Sequence, residues 1–309
     1  MLSSVRRLCA TVIAASLVVS SVGAPVAGAE SSIREGLEVN QGWKFGTLLG
    51  ECTIGYNDPV KRISYTAAHC AEGVDRVFLL NRSGKSPQKP IHAGTIEMAP
   101  GYDPKTNTND WAIIRWKDGV TINPNTYDRD GIVPVSKLRK GQTVCFHGHT
   151  SHGSAGNADC GKLIAVLGNK VLVETVERAK HGDSGGPVYL PGGGLVGVLS
   201  SSFQFEDPNG NTRYLMTANA PKDGRIVSQA ETAQAVNRYY GTNVGLREHP
   251  IEPGSSFIEG LADAGSSDAE GAAIAIVVIG VLLSGLVIGD VLRLSLIHIR
   301  RCRRRLRCR

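Results

Sequence analysis

No internal repeat runs through this sequence, and aromatic residues make up only 6% of it. The missing repeat excludes collagen and a coiled coil, while an apolar content of 41% excludes wholesale disorder. Acidic residues are absent from both ends. Residues 1–29 carry Arg6 and Arg7 without an acid, and residues 293–309 carry eight arginines without one. Without these ends, 24 basic residues face 28 acidic ones, a net charge of −4. The overall +6 and the pI of about 9.0 therefore do not describe a basic folded surface, and a nucleic-acid partner is excluded. No Cys-x-x-Cys spacing occurs, which argues against a zinc site.

What is present suits a loop-rich β protein. The 309 residues allow one large domain or two small ones, and 37 of them are glycine. The N-terminus reads as a signal peptide over residues 1–29. Arg6 and Arg7 precede an apolar stretch, and Ala27-Gly28-Ala29 is a small-x-small cleavage site. Near the other end, residues 271–289 hold no charge. As a helix they would span about 28 Å, close to the ~30 Å hydrocarbon core. A transmembrane helix is expected over 271–292. Arginine beyond it places the C-terminus in the cytoplasm and the body outside the cell, as a single-pass tethered protein. Residues 293–309 form a basic tail with two readings. One is a polybasic segment at the inner leaflet. The other is a sequencing artefact, because Leu294-Ser295-Leu296-Ile297-His298-Ile299 followed by Arg300-Arg301-Cys302 resembles translated adapter DNA.

Between the ends, residues 30–42 are a short, polar N-terminal or pro-segment. From 43 to 246, short apolar runs alternate with Gly, Asn and Pro, at 76–80, 111–116, 162–167, 170–176, 186–190 and 195–200. Asn209-Gly210 reads as a hairpin turn. A helix is expected over 228–240. Ile226, Ala230, Ala233, Val236, Tyr239 and Tyr240 recur at near-helical spacing, and Gly241 ends it. Residues 247–270, rich in Ser, Gly, Pro and acid, read as a flexible linker.

Four cysteines remain in the exported body: Cys52, Cys70, Cys145 and Cys160. An even number in an oxidising compartment suggests two disulfides, with three pairings open. Gly182-Asp183-Ser184-Gly185-Gly186-Pro187 places a serine among glycines, which lets the backbone approach a substrate carbonyl. The amides of Gly182 and Ser184 can then converge on an oxyanion. Thr66-Ala67-Ala68-His69-Cys70 sets a histidine at the end of an apolar strand. Asn109-Asp110-Trp111 sets a carboxylate just before another. Each has a plain alternative: a tight turn, a packed core histidine, a capping aspartate. Together and in this order they favour nucleophilic catalysis, with Ser184 attacking, His69 taking its proton and Asp110 orienting His69. His147-Gly148-His149-Thr150-Ser151-His152 lacks carboxylate or cysteine ligands and reads as a solvated loop. No metal and no cofactor are expected.

The sequence resembles the trypsin/chymotrypsin superfamily of serine endopeptidases, and within it the bacterial streptogrisin and α-lytic protease branch. The matching pieces are Cys52-Thr53-Ile54-Gly55-Tyr56, the Thr66–Cys70 run, residues 109–114, Val144-Cys145 with Cys160-Gly161, and residues 182–187. The resemblance implies an all-β fold of two perpendicular antiparallel six-stranded barrels, about 43–125 and 126–246, with a C-terminal helix. It also implies a protein or peptide substrate, pairing as an added strand along Ser200, Ser201 and Ser202.

Three departures stand out. The activation sequence Ile-Val-Gly-Gly is absent, and Phe146 stands where bacterial relatives place an arginine. The counter-ion of Asp183 is thereby open among His147, His149 and Lys180. The disulfide beside the primary pocket is missing. Arg178 stands where trypsin-like enzymes carry an aspartate, which opposes a Lys or Arg side chain in the pocket and favours acidic or small ones. A second reading is a catalytically silent binding or adhesion module on the same fold, motivated by the unassigned partner of Asp183.

Overall fold

A computed structural model describes residues 37–80, 90–127, 130–153 and 156–248. The segments expected to be a leader (1–29), a transmembrane helix (271–292) and a basic tail (293–309), and nearly all of the expected linker (247–270), lie outside these residues. Among the described residues no helix is long and apolar enough to cross a membrane.

The fold is mostly β. The first sheet contains β2 (Lys44–Thr47), β3 (Gly50–Thr53), β4 (Tyr56–Asp58), β5 (Ile63–Thr66), β6 (Arg76–Leu80), β7 (Pro90–Met98) and β8 (Ala112–Trp116). Their order is β3-β2-β6-β7-β8-β5-β4. Its two edge strands, β3 and β4, are separated in the chain only by Ile54 and Gly55, so the backbone itself joins the edges. The second sheet contains β10 (Thr143–Phe146), β11 (Asp159–Leu167), β12 (Lys170–Thr175), β13 (Pro187–Leu190), β14 (Gly194–Glu206), β15 (Thr212–Asn219) and β16 (Arg247–Glu248). Its order is β13-β10-β11-β12-β15-β14-β16. An extra β13–β14 pairing closes six of these strands into a ring, and β16 adds to the free stretch of β14. Closure removes the unpaired edges that invite aggregation.

Strand β8 shows why these runs become strands. Ala112, Ile114 and Trp116 alternate inward, all buried, while Arg115 faces out. In β12 the run Val171-Leu172-Val173 is buried throughout. Val171 and Val173 join the core inside the second sheet, and Leu172 joins a separate cluster with Ala235 and Val236. The strand is covered on both faces, so its sequence is continuously apolar rather than alternating.

The covering helix is Gln229–Tyr240. Ser228 caps it: its Oγ accepts from the Glu231 amide at 3.1 Å, and the Glu231 carboxylate accepts from the Ser228 amide at 3.1 Å. Such a cap contributes ~1 kcal/mol. Gly241 ends the helix in the left-handed conformation. The buried stripe overlaps the expected one in part, at Val236 with Tyr239 and Tyr240 packed beside it. It comprises Thr232, Ala235 and Val236, while Ala230 is exposed and Ile226 precedes the helix with 63% of its surface open. Spacing located the helix, but the neighbouring strands selected its inner face.

The N-terminal segment is also more integrated than its polarity suggested. Strand β1 (Leu37–Val39) pairs parallel with β9 (Val120–Ile122), burying Leu37 and Val39. Gln41 is buried, donating to the Gly55 carbonyl and accepting from the amides of Thr126 and Tyr127. From residue 37 onward the segment is structural, because its two apolar side chains complete the first core.

Candidate active site

Strand β5 ends at Thr66, and a short 3-10 turn, Ala68–Ala71, presents His69. The neighbouring Cys70 is bonded to Cys52, which fastens this turn to β3. The second disulfide, Cys145–Cys160, joins facing residues of β10 and β11. The sequential pairing is thus the one formed. A His69 ring nitrogen lies within 4.8 Å of the Cys52 and Cys70 sulfurs. The disulfide leaves no thiolate there to bind a metal.

Asp110 is placed by Asn109, which adopts a left-handed conformation (φ 53°). Asparagine tolerates that region better than most residues. Its amide group locks the turn, donating to the carbonyls of Gly101 and Gly224 and accepting from the Gly224 amide. Asp110 is fully buried. Its Oδ1 accepts from the His69 amide at 2.9 Å, and its Oδ2 lies 2.8 Å from His69 Nδ1. Ser200 Oγ donates to the same Oδ2 at 2.5 Å.

Burial opposes ionisation of Asp110. The charge and hydrogen bond of His69, with the bonds from Ser200 and the His69 amide, outweigh burial and hold the carboxyl below its ordinary value. Packing around the His69 ring disfavours its cation. The charge and hydrogen bond of Asp110, with Glu72 adding, raise its pKa above 6.5. With Nδ1 donating to Asp110, Nε2 of the neutral ring is left as the base.

Ser184 sits in the turn leading into β13. Its carbonyl accepts from the Thr53 amide at 2.8 Å, and Thr53 Oγ1 donates to the Gly182 carbonyl at 2.6 Å. The Gly185 amide donates to the Leu199 carbonyl. Both Gly182 (φ 87°) and Gly185 (φ 82°) are left-handed. A Cβ on Gly185 would lie 1.9 Å from Thr66 Oγ1, so glycine is required twice over. Among the described residues, the amides of Gly182 and Ser184 donate no hydrogen bond, which leaves both available to an oxyanion. The fold brings His69, Asp110 and Ser200 into direct contact. It packs the Ser184 turn against Thr53, Thr66 and Ala67, two residues from His69. No hydrogen bond joins Ser184 to His69 among the described residues. Such contacts are often long without substrate and tighten only when it binds.

Asp183 is fully buried, and its partners are not those expected. Its Oδ1 accepts from the Ser151 amide at 2.9 Å, and its Oδ2 from Ser151 Oγ at 2.5 Å and the Lys180 amide at 2.6 Å. Lys180 contributes its backbone, and the His147 ring bonds instead with the Asn157 and Gly42 carbonyls and the Tyr127 hydroxyl. Three neutral donors satisfy the charge where a cation was expected. Ser151 lies in a single helical turn, His149–His152.

That segment is not a solvated loop. His147 is fully buried, with its ring stacked on Tyr127 at 4.2 Å between centroids. Burial lowers its pKa. His152 Nε2 lies 2.9 Å from Asp159 Oδ2. Aromatic stacking supplied a packing role that spacing did not reveal.

The specificity residues separate. Ser200 is buried against Asp110, while Ser201 Oγ bonds Thr217 Oγ1 at 2.7 Å. Ser202 is buried with its hydroxyl unpartnered. Arg178 is half-buried in the turn after β12. Behind Ser201 lies a cavity of about 270 Å³, bounded also by Thr106, Asn107, Lys170 and Phe203. Lys170 is buried there, and its ammonium donates to the Thr106 carbonyl at 2.6 Å. Burial lowers its pKa, against the opposing pull of Asp110. Ser151 and Lys170 carried no motif in the sequence.

These features define a trypsin-like serine protease fold, mostly β, with a histidine–aspartate pair beside a glycine-rich serine turn. The chain belongs to the trypsin family, whose model matches residues 61–220, more than half of its length. Trypsin alpha-4 of Lucilia cuprina is 28% identical over 163 residues, covering 45% of this chain and 63% of that protein. An uncharacterized protein of Mycobacterium tuberculosis is 31% identical over 166 residues, covering 48% of this chain and 67% of that one. The crystal structure of Nocardiopsis protease aligns at a TM-score of 0.38 and 18% identity, over 68% of this chain and 99% of that chain.

Proposed function

We propose that this protein is an exported, membrane-tethered serine endopeptidase that cleaves peptide bonds through an acyl-enzyme. The observation that carries the reading is the grip of Asp110 on His69. One carboxylate binds both the backbone amide and Nδ1 of His69, fixing the tautomer in which Nε2 accepts a proton. Ser184 then attacks the substrate carbonyl, and His69 Nε2 takes the hydroxyl proton. The amides of Gly182 and Ser184 hold the oxyanion. His69 returns the proton to the leaving amine, and water hydrolyses the acyl-enzyme by the same route. The buried Asp110 stabilises the imidazolium in between, where low dielectric strengthens the pair. No cofactor takes part.

The protein substrate pairs along Ser200–Ser202 as an added strand, and Arg178 disfavours basic side chains at the cleaved bond. The two disulfides fit an oxidising compartment. The sequence at 1–29 supports export, and that at 271–292 supports a transmembrane helix with a cytoplasmic C-terminus.

A silent binding module was motivated by an unpartnered Asp183. The donors from Ser151 and Lys180 weaken that motive and support the enzyme reading. A fluorophosphonate probe tests the reading. Labelling of the wild type but not of Ser184→Ala is expected, and no labelling of folded wild-type protein would overturn it.

A further inference from the structure

The cavity behind Ser201 is rich in donors and short of acceptors. Lys170 lines it and is only 4% exposed, and its ammonium makes one hydrogen bond, to the Thr106 carbonyl at 2.6 Å. An ammonium has three protons to give. Among the described residues it forms no ion pair. The carboxylates that pull on it through space, Asp110 and Asp103, are engaged elsewhere. Asp110 holds His69 and Ser200, and Asp103 accepts from the Lys105 amide and the Thr106 hydroxyl.

Two hydroxyls on the same wall add to the imbalance. Ser201 Oγ and Thr217 Oγ1 lie 2.7 Å apart. One bond between them uses one proton, and the other proton has no acceptor among the described residues. The Asn107 carbonyl, also at this wall, is already taken by the Asn219 side-chain amide at 3.3 Å. Above sits the first turn of the helix Gln229–Tyr240, with Gln229, Ala230 and Ala233 at the cavity. A helix N-terminus carries partial positive charge. A buried cation without a counter-charge is costly, and a guest carboxylate supplies what is missing. The space of about 270 Å³ far exceeds the ~10–15 Å³ that one water needs, so a side chain can enter.

The place of the cavity says where that carboxylate comes from. Ser201 is the middle one of the three serines along which the substrate is proposed to pair. It is small and half-buried, so it does not close the mouth. Residues directly opposite in a ladder turn their side chains to one face. The cleaved carbonyl belongs at Ser184, beside Ser200, so the residues before the cut face Ser200, Ser201 and Ser202 in turn. The second of them lies over the cavity.

We propose that this cavity takes an acidic side chain from the second residue before the cleaved bond, with its carboxylate on Lys170 and the Ser201–Thr217 hydroxyl pair. The proposal rests on the protease reading and narrows its substrates to peptides with Glu or Asp at that place. It is separate from Arg178, which concerns the residue at the cut itself.

The test uses the full chain, purified in detergent as the wild type, Lys170→Met and Ala233→Leu. A peptide library first locates the cut. Paired peptides then carry Glu or Gln at each of the four residues before it, and fluorophosphonate labelling runs alongside. In the wild type, kcat/KM should favour Glu over Gln by about 10- to 100-fold at the second residue, the worth of a charge-assisted hydrogen bond. Lys170→Met should bring that ratio to one or below. Ala233→Leu fills the cavity from the helix and keeps the charge; it should lower the ratio too, and it decides the outcome where Lys170→Met fails to fold. Labelled wild type that cleaves without this preference, or cleaves no library peptide, overturns the acidic site while leaving Ser184 as nucleophile. A preference that survives either substitution in labelled protein also overturns it. Folded wild type that is not labelled overturns both readings together.

Discussion

Ser200 Oγ donates to Asp110 Oδ2 at 2.5 Å, on the same carboxylate oxygen that lies 2.8 Å from His69 Nδ1. One buried oxygen thus ties the second sheet to the His69–Asp110 pair of the first, since Ser200 belongs to β14 and His69 follows β5. A strand edge proposed for substrate and an acid–base pair are held in one hydrogen-bond network. Movement of either is felt by the other.

Asp110→Asn tests that network through pH. His69 must be neutral to act as a base, and its raised pKa places the rising limb of kcat/KM above pH 6.5. Removing the aspartate charge leaves only Glu72 to oppose the packing of the ring, so the limb should move to lower pH. The wrong tautomer should also cut kcat by about 10⁴-fold, by analogy with the corresponding change in a well-studied relative. Stability gives opposite signs for the two partners. The carboxyl of Asp110 contributes above about pH 3.8, and that contribution is lost as pH falls through its lower folded value. The contribution of His69 is full below pH 6.5 and is lost as pH rises through its higher folded value. Denaturant midpoints across pH, compared with the asparagine variant, check both.

Ser151→Ala tests the support of the serine turn. Asp183 keeps two backbone donors but loses its shortest bond. A loss of about 1.5–3 kcal/mol is expected, as for a hydrogen bond to a charged group. Because Asp183 adjoins both proposed oxyanion amides, kcat should fall while KM changes little. Urea unfolding and steady-state kinetics on a peptide ester separate the two effects.

Gly185→Ala should be far more damaging than Gly192→Ala. Both positions are left-handed, at φ 82° and 71°, and each alanine carries a backbone cost of about 1–2 kcal/mol. A Cβ on Gly192 meets open space, whereas one on Gly185 meets Thr66 Oγ1 at 1.9 Å and the Thr53 carbonyl at 2.7 Å. Thermal unfolding should show a modest shift for the first and loss of the native transition for the second.

The two disulfides should separate stability from activity. Removing Cys145–Cys160, which spans 15 residues, should cost about 3 kcal/mol on the chain-entropy view. Removing Cys52–Cys70, which spans 18, should cost a similar amount and also release the turn that carries His69. Paired alanine variants compared at a temperature where both are folded should show a larger fall in kcat for the second.

The motifs around His69, Asp110 and Ser184 were legible because they are local. A strained serine turn needs its own glycines, and a cysteine beside the histidine is written next to it. Strands β6 and β8 and the hairpin at Gly210 were legible for the same reason, through runs of apolar side chains and a left-handed glycine. The helix was located by period and by Gly241, and of the residues that carried the period Val236, Tyr239 and Tyr240 pack inward while Ala230 is exposed. Its stripe is set by Leu172 and Leu215 on the strands beneath, which lie far off in the chain.

Ser151 illustrates what no reading of neighbours could supply. It stands 32 positions from Asp183, and nothing in its flanking residues marks it as the carboxylate's partner. The same holds for Ser200 with Asp110, 90 positions apart, and for Tyr127 stacked on His147. From the linear chain alone followed the trypsin-like family and the local motifs at His69, Asp110 and Ser184, because covalent adjacency and backbone conformation are encoded within a few positions. Only folding decided which donors satisfy Asp183, which serine steadies Asp110 and which way β16 runs. Those outcomes depend on where distant strands meet, and a buried charge accepts whichever donors that meeting brings within reach.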